Sequence, residues 1–348
     1  MTLLLFVLIF GIVVVSHEFG HFIIAKMNGI KVVEFAVGMG PTLFGFTKGE
    51  TKYSLKLLPI GGACMFEGED GLNIAEGGES SRSFNNANVW ARISTVISGP
   101  LFNFILGAIV AMIMVSMIRI NLPVIEIMES GPAVEAGLQT DDRILALNDE
   151  KVYLFEEMML FNRVNGGKAV NITFERDGKE MSTVLQPAYN PESGNYMFGV
   201  YCNAYAQEQG IARLKYAWYE IRYCIKNTYK SLIMLVQGEV KSEEVSGPVG
   251  IAVNVVGKTY DAAKEYGWQT VLVNMLNIIL LLTINLGILN LLPIPALDGG
   301  RLLFLFVEVL RGKPIPPEKE GLIHFIGLVF FMGLMVVVLF NDLRNIFG

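Results

Sequence analysis

The sequence predicts a polytopic α-helical membrane protein with four transmembrane helices, an inserted α+β domain and a membrane-associated β-hairpin loop. Apolar residues make up 52% of the 348 residues and charged residues only 17%, whereas soluble domains carry about 25% charged residues. Four apolar segments each exceed or approach the about 20 helical residues that span a hydrocarbon core. Between the second and the third lies a long segment in which short β-like runs surround one helix-like stretch.

Charge and cysteine content exclude other classes of protein. The net charge is −6 and the basic residues form no block, which argues against nucleic-acid binding. The three cysteines, Cys64, Cys202 and Cys224, show no C-x-x-C spacing. Neither a disulfide framework nor a cysteine zinc site is therefore indicated.

The first apolar segment is interpreted as a retained span. A signal peptide would need a basic start and a small-residue cleavage site, but no basic residue precedes Lys26 and no such site follows. In chain order the predicted segments are the first span (1–25), a cytoplasmic loop with the β-hairpin (26–95), the second span (96–119), the soluble domain (120–190), an extracytoplasmic segment with an amphipathic helix (191–269), the third span (270–300), a second cytoplasmic loop (301–321), and the fourth span with the C-terminus (322–348).

The lysine and arginine residues predict the orientation. They concentrate in the loops 26–95 and 301–321, and such residues mark cytoplasmic loops. With four spans, both loops lie on the same side of the membrane. Both termini and the soluble domain are then expected to be extracytoplasmic.

The soluble domain resembles a PDZ domain. Its β-like runs are 124–128, 144–147, 170–175 and 181–185, and its helical stretch is 154–164. The residues 130–138, Ser-Gly-Pro-Ala-Val-Glu-Ala-Gly-Leu, followed by 142–148, are similar to the bacterial protease type of PDZ domain, with Asp141 where Gly is usual. PDZ domains bind an extended peptide as an added strand. The alternative is a small β domain that binds no peptide.

Residues 211–236 predict an amphipathic helix, because apolar residues recur at helical spacing with basic residues and tyrosines between them. Such a helix could lie in the membrane interface. It could equally pack on the soluble domain, and the sequence leaves both alternatives open.

The residues 17–21, His-Glu-Phe-Gly-His, form an H-E-x-x-H motif inside the first span. On a helix, positions i and i+4 lie on one face, so His17 and His21 can bind one Zn²⁺ while Glu18 acts as general base. Ionisable residues inside a span are expensive and indicate function by default. The alternative, in which they only pair with neighbouring helices, is much weaker for this spacing.

A catalytic zinc site needs a third protein ligand. Asp298 and His324 are the possibilities, and Asp298 is preferred. It ends the run 290–298, Asn-Leu-Leu-Pro-Ile-Pro-Ala-Leu-Asp, whose prolines break the helix. Irregular backbone at membrane depth is tolerated only where it is buried in protein or lines a cavity.

The H-E-F-G-H and N-x-x-P-x-P-x-L-D-G motifs together resemble the site-2 protease family of intramembrane zinc metalloproteases. The closer match is its bacterial RseP-type branch, which carries a PDZ domain between the second and third spans. The resemblance covers nearly the whole chain, with supporting matches at 38–41, 58–62 and 98–103. The chain departs from some members in having one PDZ-like domain and a short length.

The resemblance implies roles for individual residues. His17, His21 and Asp298 would be the zinc ligands, and Glu18 would be the catalytic base. The positions implicated around the substrate are Asn285, Asn290, Pro293 and Pro295. Either asparagine could stabilise the oxyanion or hold substrate backbone, or could instead hydrogen-bond between helices.

The implied function is hydrolysis of peptide bonds within transmembrane segments of single-span proteins in the bacterial cytoplasmic membrane. The substrates would be trimmed first by another protease, as anti-sigma factors or remnant signal peptides are. The alternative is a catalytically inactive zinc-binding scaffold that uses its PDZ-like domain for partners, although such a protein need not retain Glu18.

A cleaved helix must unwind, and its extended backbone then needs new hydrogen-bond partners. Residues 51–57 read as a strand with alternation at Tyr53 and Leu55. We therefore expect this loop to dip into the membrane and to pair with the substrate through Tyr53 and Leu55. A simple cytoplasmic hairpin is the alternative.

Overall fold

The computed structural model describes residues 1–69, 80–191, 194–206, 210–240 and 245–347. The chain divides into two compact units, residues 1–110 with 240–348, and residues 111–239. The helices are α1 (Thr2–Met27), α2 (Val89–Met117), α3 (Pro132–Glu135), α4 (Phe155–Asn165), α5 (Ala212–Gln237), α6 (Pro248–Gly250), α7 (Lys258–Ala263), α8 (Trp268–Asn290), α9 (Asp298–Arg311) and α10 (Pro317–Phe347). The strands are β1 (Val32–Lys48), β2 (Thr51–Phe66), β3 (Ile120–Asn121), β4 (Ile125–Ile127), β5 (Arg143–Leu147), β6 (Glu150–Lys151), β7 (Val170–Arg176), β8 (Lys179–Leu185), β9 (Ala188–Asn190), β10 (Asn195–Met197), β11 (Val200–Cys202) and β12 (Tyr205–Ala206).

Four helices of the described chain are long and apolar enough to cross a membrane, namely α1, α2, α8 and α10. The helix α2 begins at Val89, earlier than the predicted start of the second span at 96. The extra turns contain Arg92, whose guanidinium binds both carboxylate oxygens of Glu308 on α9. Apolar periodicity marks only the part of a helix at lipid depth, so it misses turns that are stabilised by an ion pair.

The predicted hairpin is a sheet folded back on itself. Residues 32–37 pair with residues 62–66 on one side and, from 34 to 37, with residues 52–55 on the other. Residues 51–56 also pair with residues 42–48. The segment 62–66 is thus an edge of this sheet, and the segment 52–55 lies in its interior.

This register contradicts the expected role of Tyr53 and Leu55. Tyr53 is paired with both Phe35 and Phe46, and Leu55 is paired with both Val37 and Phe44. A substrate strand needs a sheet edge with unpaired backbone groups. The prediction that Tyr53 and Leu55 pair with the substrate is therefore wrong, because both of their sides are already occupied.

The predicted helix break after the third span is confirmed. The helix α8 ends at Asn290, and α9 begins only at Asp298. In the connecting turn Ala296 has a φ of 73°, a left-handed conformation that is uncommon for residues other than glycine. After the turn, α9 begins with Asp298, which carries a carboxylate.

The second unit is built around a four-stranded antiparallel sheet of order β6-β5-β7-β8. All four predicted β-like runs contain strands, and α4 coincides with the predicted helical stretch to within a residue. The Glu157 carboxylate accepts hydrogen bonds from the backbone N–H groups of Tyr153 and Leu154 at the start of α4, while Gly166 ends it in a left-handed conformation. The core consists of apolar residues from the sheet and from β4, chiefly Ile125, Ile144, Leu147, Val170, Ile172, Phe174 and Leu185.

The amphipathic helix is α5, and its polar side contacts the region around α4. Arg222 binds Glu157, which is buried, at 2.6 Å, and Lys230 binds Glu150 at 2.7 Å. The rings of Tyr219 and Tyr153 stack with their centroids 4.4 Å apart. Packing on the soluble domain, one of the two alternatives, is therefore observed. The apolar residues that stay exposed include Ile211, Leu214, Trp218, Tyr229 and Val236.

Candidate metal centre

Two helices bring three possible ligands to one point. His17 and His21 lie one turn apart on α1 and are buried, and Asp298 is the first residue of α9. The Nε2 atoms of the two histidines are 3.2 Å apart. The Oδ2 atom of Asp298 lies 3.2 Å from Nε2 of His17 and 3.3 Å from Nε2 of His21.

This triangle of atoms fits a zinc ion. Nitrogen and oxygen ligands 2.0–2.1 Å from a tetrahedral ion are about 3.3–3.4 Å from one another, which agrees with the three separations. The Oδ2 atom of Asp298 is buried and has no hydrogen-bond partner in the described part of the chain. A buried polar atom without a partner costs free energy. A cation bound at this point would supply the missing partner of Oδ2.

The helix α2 orients both imidazoles. The Nδ1–H of His21 donates to the carbonyl oxygen of Thr95 at 2.9 Å, so its Nε2 carries no proton and can bind metal. The Nδ2 atom of Asn103 lies 3.2 Å from Nδ1 of His17, whereas the Oδ1 atom of Asn103 is buried without a hydrogen-bond partner within the described ranges. Amide orientations are assigned from the hydrogen-bond network, and we assign the one in which Oδ1 accepts from Nδ1–H of His17.

Close approach of α1 and α2 makes these contacts possible. A Cβ atom on Gly99 would lie 2.2 Å from Nε2 of His21 and 2.8 Å from Cε1 of His17. A Cβ atom on Gly20 would lie 2.3 Å from the carbonyl oxygen of Ser98. Only glycine fits at either position, so these two residues allow the ligands to face α2 directly.

The ligand atoms open into a cavity of about 320 Å³. Glu18 lines it, and a Cβ atom on Gly62 of the edge segment 62–66 would lie 2.8 Å from Cγ of Glu18, so this edge lies beside the Glu18 side chain. Arg301 and Glu69 form an ion pair and also line the cavity.

The other predicted site residues divide into two groups. Asn290 is buried and lines the cavity, but Asn285, Pro293 and Pro295 are not among its described lining residues. Asn290 thus lines the same cavity as the three possible ligands. The two prolines belong instead to the turn that positions Asp298.

Sequence reasoning missed the residues that support the ligands from α2. Thr95, Gly99 and Asn103 contact His17 or His21 only because two helices cross at this point. The stretch Ser-Gly-Pro-Leu-Phe-Asn at 98–103 was a motif of the resemblance. In the sequence, this motif was the only feature that could have pointed to Gly99 and Asn103.

The model of peptidase family M50 matches residues 5–334. The chain belongs to peptidase family M50. It is 35% identical to a putative zinc metalloprotease of Clostridium acetobutylicum, over 97% of this chain and 95% of the relative. It is 32% identical to the regulator of sigma-W protease RasP of Bacillus subtilis, over 99% of both chains.

Membership of family M50 confirms three predictions. The resemblance to the site-2 protease family, the enzyme class of zinc metalloprotease and the metal, zinc, all agree with these matches. A third relative, the zinc metalloprotease RasP of Geobacillus kaustophilus, is 31% identical over 99% of this chain and 98% of its own.

Proposed function

We propose that the chain is an intramembrane zinc metalloprotease that hydrolyses peptide bonds within transmembrane segments of single-span membrane proteins. The observation that carries the proposal is the convergence of Asp298 with His17 and His21, which lie on the membrane-length helix α1, with Glu18 beside them. Cleavage falls within the bilayer, because His17 lies about 21 Å along α1 from Leu3, and a hydrocarbon core is about 30 Å thick.

The proposed chemistry divides between the metal and the side chains. Zinc, when bound, lowers the pKa of a bound water to about 7 and polarises the scissile carbonyl. Glu18 takes the proton of the attacking water and passes it to the leaving amine. Asn290, which lines the same cavity, donates from its side-chain amide to the developing oxyanion or to substrate backbone.

The substrate strand pairs with the edge segment 62–66 in this proposal. Among the described residues that segment is paired on one side only, with residues 32–37, and Gly61, Gly62 and Cys64 line the cavity beside Glu18. An unwound substrate would find backbone partners there at the point of cleavage. Membrane association of the hairpin is supported by its exposed apolar side chains, which are Met39, Leu43, Phe44, Phe46, Leu55, Leu57 and Leu58.

Disulfide crosslinking through the native Cys64 tests the strand pairing. The full chain carries Glu18→Gln to retain substrate, and serine replaces Cys202 and Cys224. Substrates with a single cysteine at successive positions are expected to crosslink at the position opposite Cys64 and more weakly two positions to either side, but not at the positions between, which is the period of a strand. A period of three to four positions would contradict the proposal. The matched control moves the thiol to the sheet interior with Tyr53→Cys and Cys64→Ser, and it should give no crosslink.

The wider assignment follows the resemblance. The protein lies in the bacterial cytoplasmic membrane with both termini and the PDZ-like domain outside the cytoplasm. The relative from Bacillus subtilis is named a regulator of sigma-W protease, which supports a membrane-bound anti-sigma factor, trimmed first by another protease, as the substrate. The PDZ-like domain excludes bulky ectodomains or binds the new C-terminus. Deletion of residues 121–187 should then speed cleavage of untrimmed substrate, whereas unchanged selectivity would remove both roles.

The central experiment combines metal analysis with a cleavage assay. The purified full chain is expected to hold one zinc ion and to cleave a model single-span substrate in lipid vesicles. Glu18→Gln should keep the zinc and lose activity by a factor of about 10² to 10⁴. The matched control is Glu126→Gln, since Glu126 is exposed in the second unit. An equally active Glu18→Gln would overturn the mechanism, and a wild type that binds zinc without cleaving would favour the scaffold.

A further inference from the structure

The turn that places Asp298 at the metal centre is held in its conformation by contacts with another helix. Its backbone makes two tight internal bonds, from Ile294 N–H to the carbonyl of Leu292 and from Leu297 N–H to the carbonyl of Ile294. Ala296, between them, has the left-handed φ of 73°. A non-glycine residue keeps such a conformation only where its surroundings determine it.

The surroundings of this turn are provided by α10. The backbone N–H of Ala296 donates to Nδ1 of His324 at 3.0 Å. Three residues further along α10, a Cβ atom on Gly327 would lie 2.7–2.8 Å from atoms of Pro295. Two neighbouring residues of the turn are thus fixed by one face of α10, immediately before Asp298.

The His324 ring is itself held in one orientation. Its edge packs against Phe304 of α9 with the centroids 5.7 Å apart, and its side chain is only 11% exposed. Because Nδ1 accepts a hydrogen bond from a backbone N–H, it carries no proton, so the neutral ring carries its proton on Nε2. The Glu320 carboxylate oxygen lies 4.0 Å from that nitrogen. The acceptor therefore faces the turn, and His324 is not available as a metal ligand.

We propose that His324 is a positioning residue for the metal centre: its Nδ1 holds the Ala296 backbone, so that Asp298 presents Oδ2 to the two histidines. The inference rests on the proposed metalloprotease function. The Oδ2 atom has to lie within about 0.2 Å of its place to remain a good ligand. Release of the Ala296 N–H lets the turn relax, and Asp298, two residues away, moves with it.

Two variants separate the effect of losing the hydrogen-bond acceptor from the effect of losing the packing of the ring. His324→Asn keeps an acceptor, since the Oδ1 atom of asparagine is bonded to Cγ as Nδ1 is in histidine. His324→Phe keeps a ring to pack on Phe304 but has no acceptor. Ile326→Phe, at a 60% exposed position of the same helix, controls for added bulk on α10.

The measurement is zinc release from the full-length protein to a chelator, together with the visible spectrum of the cobalt-substituted protein. His324→Phe should release zinc about tenfold faster than wild type and should shift the cobalt bands, which report ligand geometry. His324→Asn and Ile326→Phe should stay within about twofold of wild type. Excess zinc should restore cleavage by His324→Phe, because Glu18 and the three proposed ligands are unchanged in this variant.

Two outcomes would overturn the positioning role. One is a His324→Phe protein that holds zinc as wild type does and gives the same cobalt spectrum. The other is a His324→Asn protein as impaired as His324→Phe, since packing of the ring would then be the cause. Either result leaves a wild type that binds zinc and cleaves substrate. Failure of the metalloprotease proposal is different, because the wild type itself would then hold no zinc or fail to cleave.

Discussion

Substitution of Gly99 by alanine is expected to abolish zinc binding without touching a ligand residue. Gly99 lies on α2, where a Cβ atom would be 2.2 Å from Nε2 of His21 and 2.5 Å from Cε1 of the same ring. Non-bonded carbon contacts are comfortable only at about 3.5–4.0 Å. The ring or the helix must therefore retreat by more than about 1 Å.

The size of the effect follows from the tolerance of a metal site. Ligand atoms must lie within about 0.2 Å of their ideal distances, so a displacement of about 1 Å removes His21 from the ligand set. Loss of a residue that only supports a ligand costs about 10- to 100-fold in metal affinity. Loss of the ligand itself should cost at least about 100-fold, and cleavage should fall with it.

The assay is competition for zinc between the full-length protein and a chelator of known affinity. Gly11→Ala is the matched control, because it makes the same change in a membrane-length helix where no atom of the described residues lies within 4 Å of the added Cβ. This control should bind zinc as the wild type does. A Gly99→Ala protein with wild-type zinc affinity would refute both the close approach of α2 and the role of Nε2 of His21.

Three further predictions concern support of the ligands, metal-linked stability and pH. Asn103→Leu should weaken zinc binding about tenfold, whereas Asn103→Asp, which keeps the acceptor, should not; equal losses in the two variants would contradict the assigned amide orientation. A chelator should lower the midpoint of thermal unfolding of the wild type, because an ion bound by the folded state stabilises it, but should not change that of Gly99→Ala. Burial, and then the charges of Glu156 and Glu157, raise the pKa of Glu220 to about 7. The folded protein therefore binds this proton more tightly than the unfolded chain, so stability should rise as the pH falls from about 7 towards 4.5 and be lost as it rises through 7; Glu220→Gln should remove this part of the pH dependence of unfolding.

The sequence was sufficient to predict the three possible ligands that the structure brings together, the histidine pair and Asp298. The spacing of His17 and His21 is a property of one helix, so the local pattern defines it. Asp298 required one assumption, that a helix broken by prolines lines a cavity. The break at 291–297 and the three ligand distances agree with that assumption.

Strand pairing failed as a prediction for a physical reason. Alternation at Tyr53 and Leu55 identifies a strand but does not say which strands lie beside it. The hairpin folds back, so these residues are flanked on both sides, and the segment 62–66 becomes the edge near Glu18. Which strand is an edge depends on long-range register.

The helix α5 also shows what a local pattern predicts and what it leaves open. Its periodicity predicted an amphipathic helix, and the structure has one over nearly the predicted range. The pattern could not show which surface the helix would meet. Salt bridges from Arg222 and Lys230 to acidic residues of the soluble domain decide that its polar side packs there.

By itself the sequence determined the class of protein, the metal and four apolar segments of membrane length, and it predicted the groups that would bind the metal, because these depend on composition and on short local motifs. Only the tertiary structure decided which groups hold those ligands in place. Thr95, Gly99 and Asn103 on α2 and His324 on α10 act across helix contacts between residues far apart in sequence. Such contacts arise from how helices cross, and no spacing within the chain encodes them.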